Sequence, residues 1–347
     1  MAETQPLDLA AISKWLAGRL PGFDGPVHAT KFSGGQSNPT YHLGTREGSY
    51  VLRRKPLGNM LKSAHAVDRE FRVQAALSGS DVPVAQMHML CEDDTVIGSA
   101  FYIMSLVQGR NFDDPRLPKL DKLERGQIFD QMNTVLAAIH NVDIVDKNLS
   151  DFGPEGHYIR RQVDRWTKQY TASQTEDQPD MHALIQWLDQ NMPADDGQRC
   201  LVHGDYRLDN LLFASGGTDC VAVLDWELST IGHPYADLAS VIMQWTMPPG
   251  SIGRGLAGVD RHAEGLWSDQ QFIDTYCKRR NLAGIDRFQF YLAFCHFRMA
   301  AILQGVKKRA LDGTASDPAK GLKLGQYVPE FARQGLEAAL RDGKPEV

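Results

Sequence analysis

The sequence predicts an α+β chain of two lobes: a small N-terminal antiparallel β lobe with one helix, then a larger, mainly helical C-terminal lobe. Three observations predict it. Short runs rich in β-branched and aromatic residues, separated by Gly, Ser, Asn and Pro, fill the chain from about residue 27 to residue 106. Beyond residue 117 apolar residues recur at intervals of three and four over long segments. One strand–turn–strand pattern interrupts those helices, with apolar arms at 211–213 and 221–224 around Ser215-Gly216-Gly217. The change of texture puts an N-terminal lobe at 1–108 and a helical lobe at 109–347, with the chemically richest stretch at 201–227.

In order along the chain, Leu9, Ile12, Leu16 and Leu20 fall at helical intervals before Pro21-Gly22, so residues 7–20 read as a helix. Strands follow at 29–32, 40–44 and 50–53 as an antiparallel meander. Between the first two lies Ser33-Gly34-Gly35-Gln36-Ser37-Asn38, where small residues let backbone N–H groups approach an anion, although an ordinary hairpin also uses Gly-Gly. A helix over 65–78 carries Asp68, Glu70 and Phe71 and stops at Gly79. Strands at 85–90 and 99–106 complete five. Helices then read at 120–140, 158–170, 182–191, 268–280, 286–309 and 325–341, and Pro234 suits the start of another.

Composition bounds the function. The chain has 347 residues, 42% hydrophobic and 23% charged, ordinary for a globular protein with a sizeable core. A net charge of −6 argues against a nucleic-acid partner. No stretch of about 18 apolar residues occurs, so no membrane span is expected. The N-terminal residues lack a basic segment before an apolar one, and five scattered cysteines form no C-x-x-C pair. A cytoplasmic protein with free, mostly packed thiols is the expectation. Oligomeric state leaves no mark in the sequence.

The chemistry concentrates in LVHGDYRLDNLLFASGGTDCVAVLDWE, residues 201–227. A hairpin there folds Asp225 back beside Asn210, so that a carboxylate and an amide oxygen share a hard cation such as Mg²⁺, with Asp205 standing nearby as a base. An alternative for any single Asp of this kind is a turn that caps backbone amides. Gly253-Arg254-Gly255-Leu256-Ala257-Gly258 has formal G-x-G-x-x-G spacing, but it follows Met247-Pro248-Pro249-Gly250 rather than an apolar strand and reads as a flexible surface loop.

His203-Gly204-Asp205, four residues, Asn210 and then Asp225-Trp226-Glu227 reproduce the order of a protein-kinase catalytic loop and metal loop, with Gly for Arg and Trp-Glu for Phe-Gly. In this form the motif set resembles the aminoglycoside phosphotransferase and choline kinase superfamily, whose fold is protein-kinase-like. With Gly232-His233-Pro234 and Asp237-Leu238-Ala239 it is most similar to the subgroup near the kinase domain fused to some acyl-CoA dehydrogenases. The resemblance covers about residues 27–300.

The resemblance implies site residues and ligands. ATP and Mg²⁺ are the implied cofactors, with Asn210 and Asp225 as metal ligands, Asp205 accepting or orienting the acceptor proton, and Arg207 beside the γ-phosphate. Ser33, Gly34 and Gly35 fall at the nucleotide-covering loop. Arg53 falls where kinases place the phosphate-binding lysine, and Glu70 where its helix partner stands; Ser105 and Val107 fall at the hinge. His203 is expected to hold the loop and Asp237 to anchor it. The implied acceptor is the hydroxyl of a small molecule, a hydroxyacyl thioester such as a hydroxyacyl-CoA among the candidates, and Arg160, Arg161 and Arg165 either bind its anionic part or form a solvated helix face. An antibiotic kinase of the aminoglycoside type and a nucleotide-binding pseudokinase scaffold are the alternatives. A protein kinase fits less well, because nothing after Asp225 resembles A-P-E.

Overall fold

Alternation along short strands and three-to-four spacing along long helices decide where the chain turns from sheet to helix. The computed structural model describes residues 7–23, 25–32, 38–57, 66–250, 253–315 and 317–341. In chain order the first elements are α1 (Leu9–Leu16), β1 (His28–Lys31), β2 (Thr40–Gly44), β3 (Ser49–Arg54), α2 (Val67–Leu77), β4 (Met87–Cys91) and β5 (Phe101–Ser105). Helices α3 (Lys122–His140), α4 (Tyr158–Ser173) and α5 (Pro179–Gln190) follow, then strands β6 (Cys200–Val202), β7 (Leu211–Phe213), β8 (Cys220–Val223) and β9 (Thr230–Gly232). The chain closes with α6 (Pro234–Trp245), α7 (Arg261–Glu264), α8 (Asp269–Arg279), α9 (Phe288–Leu311), α10 (Pro318–Gly325) and α11 (Val328–Arg341). This is the protein-kinase-like α+β architecture expected from the sequence.

These elements divide into two units, one of Met1–Asn111, Val145–Leu149 and Asn210–Ser229, the other of Phe112–Ile144, Ser150–Asp209 and Thr230–Val347. In the first, five antiparallel strands run in the order β1-β2-β3-β5-β4. Successive side chains of a strand point to opposite faces. On one face Leu43, Leu52 and Ile103 pack with Ile12 and Leu16 of α1. On the other, Tyr102 packs with Val67 and Phe71 of α2. Arg53 is the register partner of Tyr102, so the pleat that buries Leu52 against α1 sends Arg53 to the side of α2. Helix α1 is shorter than the expected 7–20, because Asp8 caps its start through Ala11 N–H and Gly18 adopts φ +74° soon after its end.

The same unit contains the β7–β8 hairpin, paired Leu211 to Val223. Arg110 and Phe213 exchange backbone hydrogen bonds of 2.6 and 2.8 Å. Gly109 allows that approach: a Cβ there would lie 2.6 Å from the Phe213 carbonyl oxygen.

The second unit is helical around a small sheet. Helix α3 starts with a capping box in which Asp121 and Glu124 satisfy each other's backbone N–H. Strands β6 and β9 pair antiparallel over three residues each, too short to show a period in the sequence, and were not among the expected elements. Helix α10 was also not expected. The residues expected to form a flexible surface loop at 253–258 instead fold back on the end of α6: Leu256 is buried, its N–H donates to Trp245 O, and the Ala257 N–H donates to Met247 O. Among the described residues no helix is long and apolar enough to cross a membrane.

Candidate active site

In the first unit the expected residues Arg53, Glu70 and Asp225 lie around one buried charge cluster. Arg53 Nη2 donates to Asp225 Oδ1 at 2.7 Å and is 3.5 Å from Glu227 Oε2. Its Nε stands 2.7 Å from Glu70 Oε2, a charge contact rather than an aligned hydrogen bond. Glu70 is 1% exposed and accepts from Asn38 Nδ2 at 2.6 Å and Tyr102 Oη at 3.0 Å. Burial raises the Glu70 carboxyl above its ordinary range, while Arg53 and the Tyr102 hydroxyl pull it back. Burial alone would lower the Arg53 pKa, but Glu70, Tyr102, Asp225 and Glu227 raise it above its ordinary value. The guanidinium is therefore a fixed cation.

Asp225 ends the hairpin in the left-handed region, at φ +62° and ψ +58°, and its side chain is 36% exposed. A non-glycine residue there costs on the order of 1 kcal/mol, and Asp is among the few that tolerate it. The Leu224 N–H donates to Asn210 O at 2.8 Å, which ties the two flanks of the hairpin. The donor set suits a hard cation: one amide oxygen and one carboxylate are what Mg²⁺ takes from a protein when phosphates and water supply the rest. Among the described residues no group of three or more His, Cys, Asp or Glu could hold a metal by itself.

In the second unit the chain turns from β6 into the H-G-D stretch. Asp237, in the first turn of α6, is 1% exposed and accepts the backbone N–H groups of His203 at 2.6 Å and Gly204 at 3.0 Å. Burial alone would raise its pKa, but His140 and His203, the latter partly through its backbone N–H, hold it below the ordinary carboxylate range. Gly204 takes φ +85° there. His203 is fully buried, and its Nδ1 accepts from Asp205 N–H at 3.3 Å. Tyr206, also buried, donates its hydroxyl to Met132 O at 2.7 Å. Arg207 Nε lies 3.5 Å from Asp205 Oδ2 and 2.9 Å from Asp209 Oδ1, and Asp209 also pairs with Arg254.

The other expected positions stand apart. Ser33, Gly34 and Gly35 lie outside the described residues. Ser105 closes β5 opposite Tyr50, three residues along β3 from Arg53, and its hydroxyl shares a 2.8 Å hydrogen bond with His88. Val107 follows in irregular chain. On α4, Arg160 pairs with Asp189 at 2.5 Å, and Arg161 donates to the carbonyls of Pro154, Glu155 and Gly156. The guanidinium of Arg165 lies over the Trp166 ring. The solvated-face alternative therefore describes these arginines better than an anion site does.

Several members of these clusters escaped the sequence. Asn38 and Tyr102 hold Glu70, and Arg298 of α9 donates to Gly204 O at 2.8 Å. Their partners are 32, 32 and 94 residues away, and no local pattern marks them. Strand register puts Tyr102 beside Arg53, a pairing that appears only in the folded sheet.

Known proteins resemble this chain in sequence and fold. The sequence profile of the phosphotransferase enzyme family matches residues 28–276. Mouse acyl-CoA dehydrogenase family member 10 is 42% identical over 343 residues, which are 98% of this chain and 32% of that protein, so the chain spans about a third of its length. A solved structure from Ralstonia eutropha, assigned to the aminoglycoside phosphotransferases, superposes with a TM-score of 0.90 at 45% identity, over 97% of this chain and 99% of that one. Aminoglycoside phosphotransferase APH(4)-Ia, in a ternary complex with AMP-PNP and hygromycin B, shares the fold at a TM-score of 0.61 and 17% identity, over 97% of this chain and 99% of that one.

Proposed function

Because the chain belongs to the phosphotransferase enzyme family, we propose that it transfers the γ-phosphoryl group of ATP, with Mg²⁺, to a hydroxyl of a small molecule, a hydroxyacyl thioester being the leading acceptor. One observation carries this reading: Arg53, Glu70 and Asp225 meet in one unit, while His203, Asp205 and Arg207 stand on a loop pinned by Asp237 in the other. The nucleotide-facing lobe is assigned to 1–108 and the catalytic lobe to 109–347. The nucleotide analogue in the APH(4)-Ia complex supports the cofactor, and the mouse relative's place among the acyl-CoA dehydrogenase family members supports the acceptor class.

Phosphoryl transfer asks mainly for alignment and charge neutralisation. Asp205 holds the acceptor hydroxyl and takes its proton as the new bond to phosphorus forms. Its loop is fixed at both backbone ends of Gly204, by Asp237 on the N–H and Arg298 on the carbonyl. Arg207, next to Asp205, donates to the γ-phosphoryl oxygens. Arg53, kept charged by its carboxylates, sets a fixed positive charge for the nucleotide phosphates. Asn210 and Asp225 would hold Mg²⁺, which would supply neutralisation of the nucleotide phosphate charge.

A screen of hydroxylated metabolites and hydroxyacyl-CoAs, read as ADP release with and without Mg²⁺, tests the reading. Mg²⁺-dependent release with at least one hydroxyl acceptor is expected. Nucleotide that shifts the thermal unfolding midpoint with no release for any acceptor would favour the scaffold alternative.

A further inference from the structure

The second unit contains a cavity of about 330 Å³ whose wall includes Arg207, Leu208 and Asp209 of the H-G-D loop. That is within the size range of small-molecule sites. Its apolar wall is unusual in composition. Met132, Met243, Met247 and Met299, four of the chain's eleven methionines, line it together with Trp245. Methionine is unbranched and polarisable, so such a wall adapts its shape to a flexible aliphatic chain.

The charged lining is asymmetric. Arg207, Arg254, Lys320 and Lys323 face it against Asp113 and Asp209. Asp209 is engaged by both arginines, with Arg207 Nε at 2.9 Å and Arg254 on its other oxygen. Lys320 and Lys323 lie on exposed turns of α10 at the rim and make no ion pair among the described residues. A polycation would meet net positive charge there, whereas a carboxylate or phosphate would find two lysines ready to receive it.

We infer that this cavity is the acceptor site and takes an unbranched aliphatic chain bearing an anionic group, with the chain on the methionine wall and the anion at Lys320 and Lys323. The inference rests on the phosphotransfer reading and names the acceptor class for it. It sets the chain apart from kinases of cationic antibiotics. In the reaction the bond from the γ-phosphorus to the β–γ bridging oxygen breaks, a bond to the acceptor hydroxyl oxygen forms, the hydroxyl proton passes to Asp205, and ADP leaves.

Isothermal titration calorimetry of the full chain with hexanoate through decanoate, and with alkylammonium ions of matched length, reads the cavity without nucleotide. Carboxylates bind at least about tenfold more tightly than the ammonium ions, the size of one favourable charge contact. The double variant Lys320→Glu/Lys323→Glu reverses that order with its unfolding midpoint kept, and Met299→Trp weakens decanoate more than hexanoate. No carboxylate binding, equal binding of both ions, or a ratio untouched by the charge reversal overturns the inference. ADP release with hydroxylated carboxylates is then measured under Mg²⁺-ATP. Carboxylate-selective binding with no release for any hydroxylated acceptor would sink the phosphotransfer reading while the anion preference of the cavity stood. Release that persists with an unaltered binding ratio would sink the cavity inference alone.

Discussion

At the scale of single residues, Arg53 is the counter-charge of a buried carboxylate. Its removal leaves Glu70, 1% exposed, as a buried carboxylate without its counter-charge. Breaking such a pair from one side costs roughly 3–5 kcal/mol, so Arg53→Ala is expected to lower the unfolding midpoint strongly, and Arg53→Ala with Glu70→Leu to recover much of it. Thermal unfolding of the single and double variants checks this, and equal losses in both would contradict it. Arg53→Lys keeps the charge but cannot serve Glu70 and Asp225 together through Nε and Nη2, so its nucleotide affinity is expected to fall about tenfold by titration calorimetry. The motif residues Asp205, Asn210 and Asp225 were legible because their spacing is local. The left-handed backbone of Asp225 was not, since a strand-like run of Val, Ala, Val and Leu before it predicts only an extended chain.

At the scale of elements, the start of α6 organises the H-G-D loop. Asp237 has both oxygens on that loop, and Asp237→Ala strips two buried N–H groups of their acceptor. A loss of about 2–4 kcal/mol in denaturant unfolding is expected, with kcat down about a hundredfold because Asp205 is no longer held. Unaltered kcat would show that the anchor is dispensable. The loop at 253–258 is the counterpart that sequence alone misjudged. Its glycines suggested an exposed, mobile turn, but its backbone bonds to 245–248 and the Arg254–Asp209 pair are tertiary contacts without a local signature. Arg254→Met is expected to lower kcat several-fold with little effect on the KM for ATP, by loosening Asp209 beneath Arg207. Steady-state kinetics decides between that and an unaltered kcat.

At the scale of the whole molecule, the sheet-then-helix order was legible, because long helices and short alternating strands differ in period. The small β6–β9 sheet and the buried polar clusters were not, because they depend on residues far apart in the chain. Buried histidines also give the fold an acid limit. His296 is 1% exposed, its Nδ1 has no hydrogen-bond partner, and burial pushes its pKa down to about 3. A depressed folded pKa means the contribution is complete above the unfolded value near 6.5 and is lost as pH falls from there toward 3. At pH 5 the loss is roughly 2 kcal/mol, and burial of His140 and His233 acts in the same direction. Between pH 7 and pH 4 the unfolding midpoint of the wild type is expected to fall relative to that of His296→Leu; parallel curves would contradict this.

Phosphoryl transfer by this chain is tested most directly by kcat for Mg²⁺-dependent ADP release in Asp205→Asn and Asp225→Asn, taken beside their unfolding midpoints. Each substitution keeps size and backbone tolerance and removes one carboxylate charge. A fall of about a thousandfold or more is expected in each with the fold retained. Full turnover in both variants would contradict it.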